Sequence, residues 1–213
     1  MDTLYCNKIF NILLLVTILG EFLLPWILKR FYKGYDSRLM VMSTLGNPES
    51  PVRRIYNLWL IWLGVFLSFA AVVIYFDNSV TSLPLAVLIS IFVIIFALGA
   101  GLLAGIFSVN EKKEIETISS KIHGIGSAIG FMIMLFFPLL CGIVGFLNGD
   151  AVEGITDIFS FILAAVFFIF FITGDKENFK STIFSYAGLW ERLTLFFMYV
   201  PFIYRGIYYL FYN

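Results

Sequence analysis

The sequence predicts an all-α protein: a bundle of six membrane-spanning helices. Three observations point there. Hydrophobic residues make up 61% of the 213 and charged residues only 13%, which is far too apolar for a soluble domain. The apolar residues are gathered into six runs of about the 20 residues needed to cross a ~30 Å hydrocarbon core as a helix. Outside the sixth run, which holds Arg192 and Arg205, the basic residues gather almost entirely in alternate connections. The stretch 29–54 holds six Lys and Arg, 108–122 three and 174–187 two, whereas the opposite side has Lys8 alone. By the positive-inside rule this bias puts those three connections in the cytoplasm and both termini outside. The connections are short, so the chain reads as one membrane domain.

The six runs are 9–28, 55–76, 84–107, 123–147, 152–173 and 188–211. The first starts like a signal peptide, with Lys8 before an apolar stretch, but lacks a small-residue cleavage site. It continues to Lys29-Arg30 and reads as a retained helix. Asn57, Ile61, Gly64, Ser68 and Ala71 form a stripe in the second run. Ala97, Gly101 and Gly105 in the third and Gly126 with Gly130 in the fourth repeat a four-residue spacing that lets helix backbones approach closely. Pro138 in the fourth run and Pro201 in the sixth are candidate kinks. Trp26, Tyr32 and Tyr35 at one edge, and Tyr204, Tyr208, Tyr209 and Tyr212 at the other, read as interfacial belts.

Two connections have character of their own. In 29–54, Asn47-Pro48 and Ser50-Pro51 are turn signals, with Ser50-Pro51 placed to cap and open the second helix. Between the turns, Leu39 to Leu45 is apolar enough to lie against the membrane surface. The stretch 110–122 predicts a short amphipathic surface helix before the fourth span, capped by Asn110, with Ile115, Ile118 and Ile122 on one face.

Ionisable groups inside a bilayer are costly, so each is a candidate site residue. Glu21 lies about seven residues, roughly 10 Å, from the cytoplasmic end of its helix. Asn57, His123 with Ser127, and Arg192 enter their helices from the same side. With Ser43 and the 29–54 loop as a cover, these residues predict a polar binding pocket near the cytoplasmic face. The competing reading makes them structural, with Glu21 and Arg192 an ion pair, His123 an interfacial residue and Asn57 an interhelical hydrogen-bond donor. Glu191 adjoins Arg192 but points elsewhere, toward the headgroups. Near the opposite face, Asp157 and Arg205 match in depth and predict a structural ion pair.

Neither Cys6 nor Cys141 belongs to a metal or disulfide framework, and the sequence calls for no metal or cofactor. The formal net charge of zero argues against a nucleic-acid partner, leaving membrane lipids, a second copy or a membrane-protein partner, and a small-molecule ligand of unknown identity.

Ser43-Thr44-Leu45-Gly46 with Pro51, Asn57 and Gly64, then Ile122-His123-Gly124 leading into Gly126-Ser127-Ala128, and Gly188-Leu189-Trp190-Glu191-Arg192 resemble the small multi-pass prokaryotic membrane family known as domain of unknown function 998. The resemblance covers nearly the whole chain. It implies the six-helix layout and the plasma membrane of a prokaryotic cell. It points to Ser43, Gly46, Asn57, His123 and Arg192, and it carries no reaction.

Three functions fit. One is binding or moving a small molecule, ion or lipid. The second is an accessory or immunity-type partner of another membrane protein. The third is an enzyme acting on lipid or isoprenoid headgroups, with His123 as base and Arg192 holding a phosphate. A single histidine without a visible nucleophile leans against the third.

Overall fold

The computed structural model describes residues 7–109, 117–174, 179 and 182–211. Among them, six helices are long and apolar enough to cross a membrane. They are α1 (Lys8–Leu28), α2 (Arg53–Ser79), α3 (Leu83–Ile106), α4 (Ile118–Leu147), α5 (Ala151–Thr173) and α6 (Ala187–Phe211). Each agrees with a predicted run to within a few residues. The exception is α4, which begins five residues before 123. Thr117 caps it reciprocally with Ser120, so Ile118 and Ile122 belong to its first turns instead of to a separate surface helix. The rest of that predicted helix, 110–116, lies outside the described residues.

The helices form a ring in chain order, each packed on the next, and α6 closes it against α1. The small-residue stripes are the seams of this ring. Those of α2 and α3 meet: a Cβ on Gly101 would lie 2.6 Å from Cα of Gly64, and one on Gly105 would lie 2.8 Å from the Asn57 carbonyl. On the other side of α3, Gly99 packs directly on the carbonyl of Gly126, and a Cβ on Gly130 would lie 3.3 Å from the Ala100 nitrogen. Both contacts are possible because α3 is not α-helical throughout. Residues Ala97–Leu103 form a π-helical turn, whose extra residue aims Gly99 and Gly101 at different neighbours.

Prolines act differently in the four helices that contain them, and Pro84 simply sits in the first turn of α3. α1 and α6 run through Pro25 and Pro201. α4 does not run through Pro138: it is two pieces, Ile118–Met134 and Phe137–Leu147, with Pro138 in the first turn of the second. The first piece packs on α3, and the second is the part that packs on α5.

The loop after α1 differs from its expected place on the membrane surface. A short 3-10 turn, Met42–Gly46, enters the end of the bundle, where Met42 and Leu45 are buried. Ser50 makes a turn by accepting from the Val52 N–H at 3.3 Å, and α2 starts only at Arg53 without a side-chain cap. Trp26 is half exposed, with the Arg30 guanidinium 4.0 Å above its ring.

The seams predict a graded response. Gly64→Ala and Gly99→Ala both force a methyl into a neighbouring backbone, and should each cost about 1–3 kcal/mol by overpacking. Gly124→Ala, whose Cβ meets nothing within 4 Å, should leave the melting temperature in detergent unchanged.

Candidate functional site

A cavity of about 410 Å³ lies inside the ring, toward the end from which the 32–52 loop enters. Its walls are mostly aliphatic and aromatic, from α2, α3, α4, α5 and α6. Its polar groups are Glu21, Ser43, Tyr56, His123, Ser127 and Glu191. Four of the six predicted binding residues, Glu21, Ser43, His123 and Ser127, are thus brought together. Asn57 and Arg192 are not among the lining.

Arg192 has another task. Its guanidinium donates to the carbonyls of Ser37 (2.8 Å), Met40 (3.2 Å) and Gly188 (2.6 Å) and to the Tyr35 hydroxyl (2.6 Å). The Ser37 and Met40 carbonyls belong to a loop turned into the bundle, where backbone acceptors need partners, and the Gly188 carbonyl lies one turn back in α6 itself. Tyr35 in turn donates toward the Val41 carbonyl at 3.1 Å, and burial pushes its phenol up to about 12, so it remains a hydroxyl. The Leu189 N–H donates to the Arg38 carbonyl at 3.0 Å. Gly188, which packs directly on the Met40 carbonyl, leaves no room for a side chain between loop and helix. Arg192 is therefore a clamp on the loop, and the predicted phosphate-holding role for it loses its geometric basis.

Glu191 overturns the expectation that it faces the headgroups. It is 7% exposed, lines the cavity, and accepts the Met42 N–H at 2.6 Å. Neighbours on a helix diverge by ~100°, so the two residues serve different purposes, Arg192 toward the loop and Glu191 inward. Sequence reasoning applied that divergence correctly but turned the wrong residue outward. The buried loop was the missing information.

Glu21 is not paired with Arg192 either. Its Oε2 accepts from Trp59 Nε1 at 2.6 Å, and Trp59 itself lies against Gly20. His123 places Nδ1 2.8 Å from the Phe107 carbonyl and 3.2 Å from that of Ala104. Carbonyls only accept, so Nδ1 carries a proton and closes the open carbonyls at the end of α3. In the neutral ring Nε2 is then an acceptor. Asn57 bridges α2 to Ser108 at 3.2 Å, and its carboxamide packs against Gly46.

The cavity reaches the outer surface of the bundle. Gly124, Ala128, Met132 and Ile172 both line it and are exposed. They mark a slit between the first piece of α4 and the end of α5, where the wall would face hydrocarbon.

The opposite end of the bundle holds a separate charged knot. Arg205, 9% exposed, donates from Nε to Glu153 at 2.9 Å, from one terminal nitrogen to Asp77 at 3.3 Å and from the other to Asn78 at 2.8 Å. Tyr209 donates to Asp77 and Tyr204 to Asp150. The predicted bridge to Asp157 is corrected: Glu153 takes that place, and both Asp157 oxygens are buried with no hydrogen-bond partner among the described residues. Glu153 and Asp157 are one turn apart on the same face, so matching depths did not separate them. Among the described residues no group of three or more His, Cys, Asp or Glu side chains is placed to hold a metal ion.

The family model described as "Protein of unknown function (DUF998)" matches residues 15–206. No curated protein and no solved structure matches the chain.

Two substitutions separate the clamp from the knot. Arg192→Lys keeps the charge and loses the fork. It should lower stability by roughly 2 kcal/mol or more and raise amide exchange over residues 37–43, read by mass spectrometry. Arg205→Met strands buried carboxylates and should cost about 3–5 kcal/mol. Adding Glu153→Gln and Asp77→Asn should recover much of that in denaturant unfolding.

Proposed function

The chain belongs to the DUF998 family, and for this member we propose a binding protein that takes an amphiphilic molecule from the membrane into the cavity between α4 and α5. One observation carries the reading: an apolar chamber with its polar groups gathered at one end, opening sideways where the protein surface meets lipid. Pockets for small molecules are mostly apolar with a few placed polar groups, and 410 Å³ suits a single acyl or prenyl chain. The basic connections support placing this end at the cytoplasmic leaflet. An apolar chain would enter through the slit with its headgroup toward Ser43 and the two glutamates.

The test is mass spectrometry of small molecules that stay with the protein through purification in a mild detergent. Native protein should retain a lipid-like species in near-stoichiometric amount. Ser127→Trp, which fills the chamber without touching the loop clamp, should lower that amount at least tenfold with little change in melting temperature. Equal, trace retention by both proteins overturns the reading.

A further inference from the structure

We infer that the occupant of this cavity carries a single positive charge on a hydrogen-bond-donating head, as a long-chain primary amine does. The inference rests on the binding reading above and asks which headgroup the polar end would accept.

Glu21 and Glu191 each spend one oxygen. Oε2 of Glu21 accepts from Trp59, and Oε2 of Glu191 accepts from the Met42 N–H. The second oxygen of each has no hydrogen-bond partner among the described residues, although both side chains line the cavity and are buried. His123 spends its proton-bearing nitrogen on the end of α3, which leaves an acceptor. The remaining polar groups, the hydroxyls of Ser43, Tyr56 and Ser127, can donate but accept equally well. Among the described residues no lysine or arginine lines the chamber. Acceptors without a cationic donor among those residues favour a ligand that donates.

Charge accounting gives the same answer. Glu191 acts electrostatically on Glu21, and among the described residues Arg192 is the cation that acts on both. The Arg192 guanidinium is held against the loop carbonyls and has no hydrogen bond to either glutamate. Among the described residues two carboxyl groups face one arginine, so at most one of them is matched, and a buried carboxyl without a partner cation takes up a proton instead of staying charged. A monocationic headgroup near the two free oxygens lets both ionise with their charge matched. An anionic headgroup such as a phosphate or carboxylate opposes that ionisation. A neutral alcohol can satisfy one acceptor and leaves the second carboxyl without a counter-ion.

The experiment compares amphiphiles of one chain length, so that partition into detergent is similar and the headgroup decides. Dodecylammonium, dodecanol and dodecanoate are titrated into the full-length protein in maltoside micelles at neutral pH, with heat of binding as the readout. Dodecylammonium should bind at least tenfold more tightly than either of the others. In Glu21→Gln and in Glu191→Gln, each nearly isosteric, that preference should fall to within about twofold while dodecanol affinity holds. Comparable binding of all three by native protein overturns the charge assignment and leaves the cavity reading standing. Binding of none, together with an empty extract, overturns both. Because the native protein alone decides between these outcomes, a variant that fails to fold does not blunt the test.

Discussion

The loop 35–46 is turned inward, and a turned-in loop brings peptide groups to a place where water cannot serve them. The first residues of α6 solve this. Arg192 gathers the carbonyls of Ser37, Met40 and Gly188, while Glu191 takes the N–H of Met42. Much else follows from the docking. It places Ser43 and Met42 over the chamber, fixes the glutamate that forms half of its polar end, and requires glycine at 188 because the helix surface lies on the loop backbone. Of the residues that carry the family resemblance, Gly188 to Arg192 belong to this joint, and Gly46 with Asn57 packs the loop against α2.

Helix count and boundaries were legible because bilayer thickness imposes a length on every span, and composition reports that length directly. The packing stripes were legible for a related reason: without an apolar driving force between helices, close backbone contact requires small residues in register. Gly64, Gly101, Gly105, Gly126 and Gly130 all stand at such contacts. Gly99 escaped because an ideal helix turns it away from Gly126. Only the π turn brings it round, and a single sequence gives no sign of that extra residue.

The site was half legible. Depth along a helix identified which polar residues share a layer, and Glu21, Ser43, His123 and Ser127 do share a chamber. Depth says nothing about rotation when the partner elements are unknown. The assignments of Glu191, Arg192 and Asp157 failed for that common reason. Each depended on a neighbour from elsewhere in the chain, the buried loop for the first two and the end of α2 with Glu153 for the third.

The interruption at Leu135–Phe136 has a consequence for how the molecule tolerates movement. Beyond it, α4 is tied to α5 near the Arg205 knot; before it, α4 packs chiefly on α3. An unbroken rod would transmit any shift of one end to the other. A jointed one would localise it, so a change in the spacing of the first piece of α4 from α5 would not have to disturb the ionic anchor at the far end.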